Sequence, residues 1–161
     1  MIARGGLALV VLASLAGGAC GREPEYDGIG NWRFGHTTLK DATGRCQPVD
    51  LNDGRQGTWC FGQQPSRIGG AKADIDLYFL GTEPAAKLIE VQLKVHGCRE
   101  DELEHWLRVA FGPPIQTRAT RGYWKNSFLW AAALMQSEPG RCLVHVLPLS
   151  ENAEIARIKQ L

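Results

Sequence analysis

Apolar and polar residues alternate most clearly in the middle of the chain. In residues 73–80, Ile75, Leu77 and Phe79 alternate with Asp74, Asp76 and Tyr78; in residues 87–97, Ile89, Val91, Leu93 and Val95 alternate with Glu90, Gln92, Lys94 and His96. A period of two places the apolar set on one side of a strand and the polar set on the other. Both segments read as strands with one wet face. The GTEP segment between them is a turn signal, so the pair predicts an antiparallel hairpin in a sheet covered on one side only.

The period becomes helical over residues 99–114. Leu103, Trp106, Leu107, Ala110 and Phe111 form one stripe, Asp101 and Glu104 have capping-box character, and Gly112, Pro113 and Pro114 end the helix. Glu100, Asp101 and Glu102 suit the positive end of the helix dipole and read as solvated carboxylates. Residues 121–136 and 141–150, separated by SEPG, read as two more strands. In the first, Trp124, Phe128 and Trp130 are expected on one face and Tyr123, Lys125, Ser127 and Leu129 on the other, with a bend or break near Asn126. Ser150 opens a short terminal helix that offers Ile155 and Ile158 for packing.

Upstream, WRF predicts a short strand, residues 37–46 a short helix capped by Thr37, residues 47–55 a long loop, and TWCFGQ another strand. A helix followed by about three strands thus occurs twice, the second copy starting near Cys98. The fold class expected is α+β: an antiparallel sheet with helices packed on one face, built from two helix-plus-three-strand units and held by two disulfides.

The chain has 161 residues, 44% apolar and 22% charged, which fits one globular domain and excludes a largely disordered or fibrous chain. Lys and Arg number 18 against 17 acidic residues, so no charge excess points to nucleic acid or a polybasic membrane surface. The unusual count is five cysteines, an odd number.

The N-terminus accounts for the odd one. Arg4 precedes an apolar run from Leu7 to Ala16 and then Gly17, Gly18 and Ala19. This reads as an export signal, the run being well short of the about 20 apolar residues a membrane span needs. A cut before Cys20 leaves a cysteine at the new N-terminus, which resembles the lipobox of bacterial lipoproteins. The resemblance implies that the Cys20 thiol is acylated and, with Gly21 rather than aspartate following it, an outer-membrane location facing the periplasm. The alternative is ordinary secretion with Cys20 as a free or paired thiol. The organisation expected is a signal peptide at 1–19, a lipidated tether at 20–28 and a single α+β domain at 29–161.

Cys46, Cys60, Cys98 and Cys142 remain, an even set in an oxidising compartment, which predicts two disulfides among three connectivities. Cys46 with Cys60 closes a short loop rich in turn formers, and Cys98 with Cys142 joins the end of one predicted strand to the start of another. That connectivity is favoured. A zinc site using His96 and Cys98 is the rival, weakened by irregular cysteine spacing and the lack of any C-x-x-C.

The chemistry that can be read is sparse. No G-x-S-x-G, H-E-x-x-H or complete dinucleotide loop occurs. His36, His96, His105 and His145 fall in four different predicted elements, and Asp74 with Asp76 reads as a pair of solvated strand carboxylates rather than a cation site. No catalytic residue, metal or cofactor is assigned. Of the tryptophans, Trp106 reads as helix core and Trp59 as packing on the Cys60 disulfide. Tyr123, Trp124, Lys125 and Trp130 are the candidate partner-binding residues, because tryptophan and tyrosine are enriched in interface hot spots; the competing reading puts Trp124 and Trp130 in the core.

The FGHTTLKDA segment, the FGPP helix ending and the YW-containing strand after it resemble the SmpA/OmlA family of outer-membrane lipoproteins, which assist barrel assembly, and the β-lactamase inhibitory protein group. The resemblance implies a sheet with helices on one face that works by protein contact. The function expected is a non-enzymatic, periplasm-facing lipoprotein that binds a protein partner in the cell envelope, as an inhibitor, an immunity protein or an assembly accessory. The alternatives are an envelope hydrolase using Glu104, His105 and His96, and a purely structural envelope lipoprotein.

Overall fold

A computed structural model of the chain describes residues 27–160. The export signal, Cys20 and most of the proposed tether lie outside the described residues. In chain order the elements are β1 (Gly28–Ile29), β2 (Trp32–Arg33), a 3-10 turn (Leu39–Asp41), β3 (Arg45–Asp50), β4 (Gln56–Phe61), β5 (Ser66–Ile68), β6 (Ala71–Leu80), β7 (Lys87–His96), α1 (Glu100–Phe111), β8 (Gln116–Arg118), β9 (Arg121–Lys125), β10 (Leu129–Glu138), β11 (Arg141–Pro148) and α2 (Asn152–Ile158). β1 and β2 form a small hairpin of their own. The other nine strands make one sheet in the order β3-β4-β6-β7-β11-β10-β9-β8, with β5 paired to the start of β6. Every pairing is antiparallel. This is the expected α+β class with a mainly antiparallel sheet.

The β6–β7 hairpin forms as its alternation demands, with Ile75 opposite Leu93 and Leu77 opposite Val91. These side chains, with Phe79, Val95, Val144, Val146, Ala131 and Ala133, are buried on one face of the sheet. Leu103, Leu107, Ala110 and Phe111 of α1 join the same core. Gly112, at φ 85°, caps α1 as its sequence predicts. The capping box at Asp101 and Glu104 does not form. Arg99 is the N-cap residue and has no side-chain cap. It pairs with Glu102 at 2.8 Å, and Glu104 instead pairs with Arg108 one turn on.

The helices do not share a face. Ile155 and Ile158 of α2 pack with Tyr123, Trp130, Ala132 and Leu147, the alternate side chains of β9, β10 and β11, which point away from the α1 core. The cause is a reversal at Asn126. Its side-chain oxygen accepts hydrogen bonds from the amides of Phe128 and Leu129, which turns the expected single strand into the β9–β10 hairpin. Register then puts Trp124 opposite Ala131 and Lys125 opposite Trp130. Trp124 therefore faces α1 and Trp130 faces α2, not one common face. A Cβ on Gly122 would sit 2.3 Å from the Trp124 ring, so glycine is what lets the indole lie flat over β9.

The upstream half departs further from its expected plan. The helix expected at 37–46 is one 3-10 turn, where Asp41 accepts hydrogen bonds from the Thr38 amide and hydroxyl; Thr37 is buried and accepts from the Arg33 amide. Of the loop expected at 47–55, residues 47–50 belong to β3, an edge strand exposed along most of its length. Five strands therefore follow the first turn and four follow α1, where three each were expected.

Both disulfides have the favoured connectivity, Cys46–Cys60 and Cys98–Cys142. The first joins directly opposed residues of β3 and β4. The second ties the start of α1 to β11, with the Cys98 amide also donating to the Gly140 carbonyl at 3.2 Å. Cys98 is thereby spent as a zinc ligand. No helix among the described residues is long and apolar enough to cross a membrane.

Leu107 is fully buried whereas Val109, on the same helix, is 66% exposed. Urea unfolding should therefore show Leu107→Ala losing about 2–5 kcal/mol and Val109→Ala changing by no more than about 0.5 kcal/mol. Equal losses would contradict the placement of α1.

Candidate functional site

The second face of the sheet is only partly covered. α2 lies over β9, β10 and the end of β11, and its first turn borders the outward side chains Tyr78, Glu90 and Gln92 of β6 and β7; Trp59 and Phe61 of β4 pack against neither helix. Cys60 of β4 points into the core with no exposure, so its neighbours Trp59 and Phe61 point out. Trp59 therefore does not pack inside on the disulfide. It is half-buried on the open face, opposite Tyr78 of β6.

These three rings form a continuous aromatic row. Trp59 and Phe61 have centroids 4.7 Å apart, and Trp59 stacks near-parallel on Tyr78 at 6.4 Å. The Arg45 guanidinium sits 5.2 Å from the centre of the Phe61 ring, and the Lys94 ammonium 5.8 Å from that of Trp59. Asp76, only 3% exposed, holds the row in place. It accepts a hydrogen bond from the Trp59 indole at 3.0 Å and one from Lys94 at 2.7 Å. Burial, then the Glu90 and Asp76 carboxylates, push the Tyr78 phenol well above its ordinary pKa, so it stays a neutral hydrogen-bonding group.

Below the row, Asp74 pairs with His96 at 2.7 Å and with Lys72 at 3.8 Å. Asp74 and Asp76 thus spend their oxygens on protein cations and an indole. Among the described residues no group of three or more His, Cys, Asp or Glu is gathered for a metal ion.

Beside the row, under the start of α2, lies a cavity of about 220 Å³ whose lining includes Tyr78, Glu90, Gln92, Arg55 and Glu151. Glu90 is buried and accepts from Gln92 at 2.9 Å. It also meets the Nδ1 of buried His145 at 2.6 Å. His145 is thus an interior histidine held through Nδ1, while its buried Nε2 meets no partner among the described residues.

The residues singled out from sequence scatter. Tyr123, Trp124 and Trp130 are 4%, 1% and 2% exposed, which places them in the core and removes them from any contact surface; Lys125 is exposed. Trp106, expected in the core, is partly buried at its edge. Glu104 is tied to Arg108, His105 is exposed on α1, and His96 is on β7 with Asp74, so the hydrolase candidates are spent on other partners or stand apart rather than gathered into one site.

Asp74 gives this face a titration signature. Chiefly through its hydrogen bond with His96, its carboxyl is held below the usual range. A carboxyl lowered on folding adds stability above its unfolded pKa, about 3.9, and loses it as pH falls through the folded value. The melting-temperature gap between the native chain and Asp74→Asn should be present at about pH 5 and close by about pH 2. The gap should be small, because the Asp74 side chain is 46% exposed. A gap that widens on acidification would contradict the pairing. Compared with protein-family models, curated proteins and solved structures, the chain shows no significant match.

Proposed function

We propose that this chain is a non-enzymatic, lipid-tethered module of the bacterial envelope that faces the periplasm and binds a protein partner through the open half of its sheet. The observation that carries the reading is the row Trp59, Phe61 and Tyr78, flanked by Arg45 and Lys94, in which Trp59 and Phe61 pack against neither helix and Tyr78 borders the cavity beside α2. Tryptophan, tyrosine and arginine dominate interface hot spots because they combine large apolar area with a polar handle and few torsions to freeze. The row is rigid before any partner arrives. Its strands are in register on both sides, β4 is cross-linked to β3, and the Trp59 indole is already hydrogen-bonded. Ordering costs on binding are correspondingly low.

The Cys20 lipobox and the resemblance to SmpA/OmlA lipoproteins and the β-lactamase inhibitory protein group support the same reading. The first implies export and a lipid tether, and the second a sheet protein that works by contact. The partner is a folded envelope protein, and the chain acts on it as an inhibitor, an immunity protein or an assembly accessory.

A photo-crosslinking residue at position 59 or 61 of the lipoprotein in its native envelope should give a discrete protein adduct, and one at position 109 should not. With that partner purified, Trp59→Ala should weaken binding by at least about 30-fold, a hot-spot loss of about 2 kcal/mol or more, while Val109→Ala leaves it unchanged. No adduct from either 59 or 61 would overturn the reading in favour of a purely structural lipoprotein.

A further inference from the structure

The domain has two unlike ends along its strands. The sheet end made by the start of β7, the end of β11 and the β9–β10 turn carries Phe128, 54% exposed, and Ile115, 55% exposed, two of the three exposed large apolar side chains among the described residues. Ile115 is held there by its amide, which donates to the Tyr123 carbonyl at 2.8 Å. Phe128 is displayed on a fixed turn, since the amides of Phe128 and Leu129 both donate to the Asn126 side chain and the Leu149 amide donates to the Phe128 carbonyl. Asp27, the first described residue, lines the same apolar groove as Phe128, together with Phe34, Leu80, Lys87 and Pro148. The chain therefore enters the domain at this end.

We propose that this end rests on the bilayer to which Cys20 is anchored, with Phe128 and Ile115 seated in the lipid interface. The inference rests on the lipid-tether reading. From Cys20 to Asp27 is seven residues, a reach of at most about 24 Å when fully extended. β7 alone, ten residues long, measures about 33 Å. Bringing the opposite end of the sheet to the bilayer would lift Asp27 beyond the reach of its own tether. Only the Asp27 end and the flanks adjoining it can touch lipid.

The chemistry of that end suits a phospholipid surface. Exposed Lys87 lines the groove with Phe128, Lys125 ends β9 beside the Phe128 turn, and the Lys40 amide donates a hydrogen bond to the Pro84 carbonyl in the β6–β7 turn. Among the acids of this end, Asp27 pairs with Arg33 and Asp53 and Glu151 share Arg55, while Asp41, Asp50 and Glu83 form no ion pair with a basic side chain among the described residues. Exposed apolar side chains with lysines nearby suit an interfacial contact, where the apolar groups enter the headgroup boundary and the ammonium groups meet phosphate.

The test uses the full lipidated chain in vesicles of phosphatidylethanolamine and phosphatidylglycerol, with a nitroxide on a cysteine introduced as Phe128→Cys, Ile115→Cys or, at the opposite sheet end, Glu138→Cys. Labels at 128 and 115 should collide several-fold more with dissolved oxygen, relative to a water-soluble nickel chelate, than the label at 138. Equal, aqueous values at all three positions in a protein that carries the acyl mass and floats with the vesicles would overturn the membrane contact and leave the tether standing. A chain without the acyl mass that does not float would overturn both.

Discussion

Side chains on a strand alternate, and the rest of this molecule is arranged around how two adjacent long strands obey that rule. In β6 and β7 every inward position is apolar and nearly every outward one is polar or aromatic, with Ile75, Leu77, Val91 and Leu93 set against Asp74, Asp76, Tyr78, Gln92 and Lys94. A one-residue slip would put carboxylates into the core and isoleucine into water, so the register is strongly specified. Once these central strands are fixed, the core must lie on one side, and α1 with the small β1–β2 hairpin covers it. The polar side is then committed as well. It cannot be buried cheaply, because each group there needs a partner; the two that are buried, Asp76 and Glu90, have Lys94 with Trp59 and His145 with Gln92.

The second helix follows from the same constraint. α2 settles where the outward face turns apolar, over Tyr123, Trp130, Ala132 and Leu147, and does not pack against Trp59 or Phe61. The disulfides stiffen the two ends of this plan. Cys46–Cys60 fastens the edge strand β3, which has little core of its own, and Cys98–Cys142 fastens α1 to β11. Trp59 is level with Tyr78, two residues short of Leu80, so the aromatic row lies on the same half of β6 as the proposed tether entry near Lys87 and Phe128. The two proposed surfaces differ in direction, the row pointing outward from the sheet and Phe128 standing on the turn at its end.

What the sequence revealed depended on whether a pattern was local. The β6–β7 hairpin and α1 were legible because each carries its period within one uninterrupted segment, and the disulfide connectivity was legible because it pairs segment ends that antiparallel strands bring together. β3 was not, since an exposed edge strand with Pro48 and a single half-buried residue, Val49, has no alternation to read. The two faces of the β9–β10 region were misassigned because hydrogen bonds from the Phe128 and Leu129 amides to the Asn126 side chain reverse the chain inside an apolar run. The site itself was half legible. An inward disulfide at Cys60 already implies that Trp59 and Phe61 face outward, and that inference was available; their alignment with Tyr78 and Lys94 was not, because it depends on the β4–β6 register.

The most direct measurement compares hydroxyl-radical labelling of the lipoprotein in intact envelopes with that of the purified protein in detergent. A surface occupied in its native setting should show Trp59, Phe61 and Tyr78 labelled several-fold less in the envelope, while Trp106 and Val109 on α1 are labelled equally in both. Equal labelling of the aromatic row in the two settings, or protection confined to α1, would contradict the assignment of the open sheet face as the partner-binding surface.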